Sequence, residues 1–272
     1  MSDTSTTTKS SSQTFPLAHP PPKSSQCLRL TPRLLLQIQQ FTSPARVIPV
    51  LEIYQPSRLS KSVPNGLPKL HAHDMYLVQS EPYSHLPSST AASSAVSSGH
   101  DFLGAIYTTP KRGSPNVYLV CGNMQWIAQT TSRGYRFQLK HSPSSSSFLS
   151  NNSNSTYTST NNNLNEDVPP PLELTWDRRP RSHSSEDGTD NTDSRSSTSS
   201  SGRFVLCMTD PDHPGPRRPW LAMLTKKGFV VGGWDRAQRV RLAELLSGDD
   251  HAVCTCFLAL GVYVAAVEGW LT

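Results

Sequence analysis

The chain has 272 residues, of which 35% are hydrophobic and only 17% charged, with a net charge of +5. The apolar share is low for a chain packed throughout, and its prolines, serines, threonines and asparagines gather in blocks, so one ordered domain carrying low-complexity inserts is expected rather than two domains. Five cysteines without C-x-x-C spacing argue against a disulfide framework and a zinc module. The mild, dispersed basic excess argues against the concentrated stripe of a nucleic-acid binder.

Met1–Ser25 is rich in Ser and Thr and then in Pro, too poor in apolar groups to order itself. Residues 1–26 are therefore expected to be a disordered tail ahead of a single domain over 27–272. The start lacks an apolar h-region, which predicts no secretory signal and an intracellular protein, cytoplasmic or nuclear, with reduced thiols. Thr31-Pro32 reads as an N-cap followed by proline at the first helical position, so a helix is predicted over Pro32–Gln40 with Leu34, Leu35 and Ile38 on its buried side. Arg46–Tyr54 alternates and is rich in β-branched residues, the mark of a strand. Pro49 removes a ladder donor and puts that strand at an edge or a bulge.

Further strands are predicted over Asp74–Gln79, Phe102–Thr108 and Val117–Cys121, the last joined by Gly122-Asn123 to MQWIAQ as a two-residue hairpin. Gly134–Leu139 sets Tyr135, Phe137 and Leu139 on one face. Stretches at about 141–168 and about 178–201 are low-complexity, rich in Ser, Asn, Thr and Asp, and expected to be flexible inserts. Lengthening a surface loop costs only about 0.6 kcal/mol per doubling, so such inserts interrupt a sheet without ending the domain. Leu172–Trp176, Arg203–Met208, Trp220–Thr225 and Gly228–Val231 read as strands. Gly232-Gly233 supplies a bend into an amphipathic helix over Arg236–Leu246, with Val240, Ala243 and Leu245 or Leu246 on one face.

From Ala252 to Val267 the chain is an unbroken run of apolar and small residues in which only Thr255 is polar. A helix with no polar face is sheltered on all sides, by protein or by lipid. Phe257, Leu258, Leu260, Val262, Tyr263, Val264 and Val267 are its candidate core residues. As a helix the run is about 24 Å long, against a hydrocarbon core of about 30 Å. Glu268 follows it, and Asp249-Asp250 precede it where a span would carry Lys or Arg, which favours a helix packed inside protein. The rival is a tail anchor using residues 252–271. Nine or ten short strands at this spacing, with a helix that needs a dry interior, predict a mainly β (α+β) fold. In it an antiparallel β-barrel wraps a hydrophobic C-terminal helix, with an N-terminal helix and disordered Ser/Asn-rich inserts.

WLAMLTKKGFVVGGWDRAQR followed by CFLALGVYVAAVEGW, and LRLTPRLLLQIQQ followed by PVLEIYQPS, resemble uncharacterised fungal proteins of the tubby C-terminal-like class, which includes tubby, scramblase-like and LURP-one-related proteins. The resemblance runs from Cys27 to Trp270 without the inserts. It implies a closed antiparallel barrel around a hydrophobic C-terminal helix. Tubby proteins bind phosphoinositide head groups through basic residues on the barrel. The residues that could serve here are Lys226-Lys227 in the last hairpin and Arg217-Arg218 beside it, although no tubby lipid-binding pattern aligns with them.

Other chemistry is thin. His71-Ala72-His73-Asp74 is the best metal-like cluster, with alternate histidines on one side of a strand, but it lacks further ligands at fixed spacing and reads as a polar start of that strand. Gly232-Gly233 belongs to no phosphate-binding motif, and no G-x-S-x-G occurs. No catalytic residue, cofactor or metal is expected. The expectation is a non-enzymatic binding or adaptor module whose partner is anionic phospholipid or another protein, with no nucleic acid. The alternatives are the tail-anchored protein and an enzyme with an unrecognised site.

Overall fold

The computed structural model of the chain describes residues 11–21, 30–43, 46–63, 67–80, 102–108, 117–121, 124–140, 172–179, 202–209, 220–246 and 250–271. Twelve strands form one closed barrel: β1 (Ser12–Ala18), β2 (Arg33–Ser43), β3 (Arg46–Gln55), β4 (Met75–Gln79), β5 (Phe102–Tyr107) and β6 (Val117–Cys121), then β7 (Met124–Thr131), β8 (Gly134–Lys140), β9 (Glu173–Arg179), β10 (Arg203–Thr209), β11 (Trp220–Thr225) and β12 (Gly228–Gly232). Each strand pairs antiparallel with its neighbours in sequence, and β1 closes the ring against β12. Two helices follow, α1 (Arg236–Leu246) and α2 (Asp250–Val267).

The alternation decides which way each strand faces. On β8, Tyr135, Phe137 and Leu139 are buried and join the central core, while Arg136 and Lys140 are exposed. The outer wall carries polar side chains such as Gln37, Glu52, Arg136 and Asp177, except on β4 and β5, where Tyr76, Val78 and Ala105 form a second buried cluster with Leu70. An apolar inside with a polar outside is the reverse of a lipid-facing barrel.

Eight strands make a barrel that side chains alone fill; twelve leave room for a helix about 10–12 Å across. That helix is α2. Val253 and then Thr255–Ala265 are buried, including the candidate core residues Phe257, Leu258, Leu260, Val262, Tyr263 and Val264, whereas Val267 is half exposed at the tip. By length and hydropathy α2 could cross a membrane, yet here the strands enclose it. Tyr263 meets Tyr135 and Phe137 edge-on with ring centroids 6.0 Å and 5.7 Å apart, and Phe257 meets Trp234 at 5.8 Å. A Cβ on Gly261 would lie 2.2 Å from the Phe229 ring, so the helix touches the wall there with no slack. Each such buried Leu, Val or Phe contributes about 1.5–3 kcal/mol relative to exposure.

The spacing predicts nine or ten strands; the difference from twelve is β1 and β2. Ser12–Ala18, placed in the disordered tail by its composition, is a barrel strand whose Phe15 is buried against the core. Pro32–Gln40, predicted as the N-terminal helix, is instead most of β2, with Leu36 and Ile38 inward and Leu34 only half-buried. Long-range pairing of Leu36, Gln37 and Ile38 with β3 outweighs the local helix-start signal. β9 also runs to Arg179, two residues into the stretch assigned to the second insert. The rest of both inserts lies outside the described residues.

Pro49 sits at a bulge, as expected: the register with β2 shifts between Ile38 and Gln39, at the Pro49 pairing. On α1 the buried residues are Leu242 and Leu246 with Leu245 packed beside them, while Val240, expected on that face, is 52% exposed. Asp235 and Gln238 cap α1 reciprocally: Gln238 N donates to Asp235 Oδ1 at 2.8 Å and Asp235 N to Gln238 Oε1 at 2.9 Å.

Candidate functional site

Antiparallel strands taken in chain order place the connections after odd-numbered strands at one end of the barrel and those after even-numbered strands at the other. Since β12 exits at the second end, α2 enters there and finishes at the first, where Glu268 meets the start of β8 and the finish of β9. The end where α2 finishes is called the carboxyl end below.

Helix α2 stops in a Schellman motif. Trp270 N donates to Ala265 O at 2.8 Å and Gly269 N to Ala266 O at 3.1 Å, with Gly269 at φ +70 where a side chain would be strained. Glu268, at the negative end of the helix dipole, is held by two donors on the wall: Tyr135 Oη at 2.6 Å and Arg178 Nη2 at 2.5 Å. The Arg178 guanidinium also lies over the Phe204 ring at 5.1 Å. Burial first, and the bond to Glu268 second, push the Tyr135 hydroxyl well above its ordinary range.

Cations crowd this same end. Lys226 and Lys227 form the exposed turn between β11 and β12, pinned by Lys227 N donating to Thr225 Oγ1 at 3.2 Å and by Leu17 N donating to Lys227 O at 3.0 Å. Gly228, at φ +156, follows them with Pro16 directly opposite; a Cβ there would lie 2.4 Å from Phe15 O. Arg133 sits in the matching Thr-x-x-Gly turn between β7 and β8, and Arg178 N donates to Arg133 O at 2.7 Å. Arg179 and Arg203 pair in register across β9 and β10; Arg179 lies 3.8 Å from Asp177, while the Arg203 guanidinium turns along the wall to lie over the Trp220 ring at 5.8 Å. Arg33, Arg58 and Lys69 lie in or beside the connections on the far side of the rim.

The carboxylates described at this end are all occupied. Asp74 accepts from His71 N at 2.7 Å and Thr108 N at 2.9 Å, Asp177 lies 3.8 Å from Arg179, and Glu268 holds Arg178 and Tyr135. At the opposite end signs mix and pair, with Arg239 3.6 Å from Asp250 and Arg241 3.8 Å from Glu244. Among the described residues, cations are therefore concentrated at the carboxyl end, while Arg239 and Arg241 of α1 at the other end pair with nearby carboxylates.

Lys226 and Lys227 are where the hairpin reading placed them. Arg217 and Arg218 lie outside the described residues. Arg133 and Arg179 belong to the same rim but were not singled out, because each stands alone at the end of a different strand. The up-and-down strand order was the signal that could have joined them. His71 and His73 are both exposed, but Asp74 between them and β4 is turned inward to cap the β4–β5 pair, and no group of three metal-ligating residues occurs among the described residues. Lys61 lies over Tyr76 at 3.8 Å, and burial pulls its ammonium below the ordinary lysine range, so it belongs to the wall and not to the rim.

Two features lie elsewhere. In the core, Cys256 hydrogen-bonds with Cys121, and this bond first, with burial second, raises the Cys256 thiol well above its ordinary range. Both are free thiols. An open depression along the outer side of α1 is lined by Ala237, Val240, Arg241 and Glu244. Comparison of the chain with protein-family models, with curated proteins and with solved structures finds no match.

Proposed function

We propose that this chain is a non-enzymatic binding module that attaches to anionic phospholipid head groups through the carboxyl end of its barrel. The observation that carries the reading is the gathering of Lys226, Lys227, Arg133 and Arg179 on one rim whose described carboxylates are already bonded. Near an anionic surface each Lys or Arg contributes about 1 kcal/mol, and the attraction fades within a Debye length. The burial of α2 within the strands supports surface attachment over a tail anchor, since the apolar run already has a sheltered place. The same architecture supports the likeness to the tubby C-terminal-like class at the level of fold, which by itself carries no function.

The test is co-sedimentation of the full chain with vesicles of phosphatidylcholine alone and with added phosphatidylserine or phosphoinositide. Binding is expected only with anionic lipid, falls as salt rises, and is released by alkaline carbonate. Lys226→Ala with Lys227→Ala weakens it about thirtyfold, two charges at about 1 kcal/mol each. Unchanged binding by that double variant would remove the basic turn from the site. Carbonate-resistant association would establish the anchor, and no association with any vesicle would leave a protein partner as the target.

A further inference from the structure

Exposed large apolar side chains lie at both ends of the barrel: Leu30, Leu59 and Val267 at the carboxyl end, and Phe41, Val47, Trp220 and Val240 at the other. Leu59 is 77% exposed on the turn after β3, closed by Ser60 N donating to Ser57 O at 3.1 Å, and Leu30 is 64% exposed just ahead of β2. Both places are at the carboxyl end. There too Val267, the last residue of α2, is 50% exposed although the helix behind it is buried. Trp270 and Leu271, next to Val267, are folded away. What sets this end apart is that its exposed apolar side chains share it with the basic rim.

Cations alone reach only the head groups, whereas apolar side chains among cations let a surface sit in the boundary between head groups and acyl chains. Resting on the head-group reading above, we propose that the barrel docks end-on on an anionic bilayer, with the carboxyl end of α2 toward the membrane and Leu59 and Val267 entering its interface between Lys226-Lys227 and the arginine rim. The partner is the bilayer itself, not a free head group. Charge complementarity selects the anionic leaflet, and the aliphatic residues supply a part of the binding that salt does not screen.

Four single variants of the full chain test the orientation on vesicles of phosphatidylcholine with phosphatidylserine: Leu59→Asn and Val267→Asn at the carboxyl end, Phe41→Asn and Val240→Asn at the other. All four side chains are more than half or about half exposed, at 77%, 50%, 55% and 52%, so each variant keeps its fold. The first two are expected to weaken vesicle binding about fivefold to tenfold, most visibly at high salt, and the second two to leave it unchanged. Binding of soluble inositol phosphate stays the same in all four. Four variants that bind like the parent would overturn insertion and leave head-group attachment standing. Loss in Phe41→Asn or Val240→Asn alone would overturn the orientation. A parent chain that ignores anionic vesicles would overturn the head-group reading, and this one with it.

Discussion

At the scale of single residues, the acid–base behaviour of this fold resides in groups that are neutral at physiological pH. Burial, with Asp250 second, pushes the Cys254 thiol from 9.0 up to about 12, and burial, with Asp74 second, pushes the Tyr107 hydroxyl from 10.0 up to about 12. In both, the folded state holds its proton more tightly than the unfolded chain does. Their contribution to stability is complete below the unfolded values and is lost as pH rises through the folded ones. The melting temperature is therefore expected to decline from pH 9 upward and steeply between 10 and 12. Cys254→Ala should make the decline above pH 9 shallower without moving its onset, because the Cys256 thiol is also held above its ordinary range. A melting temperature that holds flat to pH 12, or a slope above pH 9 unchanged by that variant, would show that these protons are not linked to folding.

At the scale of elements, the C-terminal helix is fixed to the wall by contacts that act as one unit. Glu268 joins α2 to β8 through Tyr135 and to β9 through Arg178, and the same tyrosine packs edge-on against Tyr263. Arg178 is more than half exposed, so its ion pair is worth about 0–1 kcal/mol; the half-buried Tyr135 bond is worth about 1.5–3 kcal/mol because its acceptor is charged. A cycle of Tyr135→Phe, Glu268→Gln and the double variant, read by urea unfolding, should give a coupling of about 1 kcal/mol; simple additivity would mean that the helix end is held by packing alone. Nothing in the sequence pairs residues 135 and 268, and this latch was not legible there. What was legible depends on range. β8 could be read because Tyr135, Phe137 and Leu139 alternate within seven residues, and α2 because a run without a polar face has few places to go. The capping box of Asp235 and Gln238 was present as D-x-x-Q before α1. β2 misled because LLLQIQQ satisfies a helical stripe as well as alternation, and only its pairing with β3 decides between them. β1 was hidden by its polar surroundings: Phe15 is its one fully buried side chain, and its role comes from β12, more than two hundred residues away. The rim was legible only at Lys226-Lys227, where two cations share one turn.

At the scale of the whole molecule, closure of the ring and filling of its interior depend on each other. Twelve strands enclose more space than their own side chains occupy, and α2 supplies Phe257, Leu258, Leu260, Val262 and Val264 to fill it. Core side chains such as Phe137, Trp176, Phe204 and Phe229 would otherwise line a wide apolar hollow. Voids destabilise in proportion to their volume, by about 24 cal/mol per Å³ where a single side chain has been removed, and a hollow the width of a helix lies far beyond what local relaxation can close. The anchor reading requires the opposite, a soluble domain that stands without its last segment. A chain ending at Leu246 separates them. If the helix is core, that chain should lose its cooperative thermal transition and expose apolar surface, measured by calorimetry and by binding of a hydrophobic dye at equal concentration to the full chain. Were it to melt cooperatively within a few degrees of the full chain, the strands would have to close without the helix, and α2 would be free to serve a membrane instead.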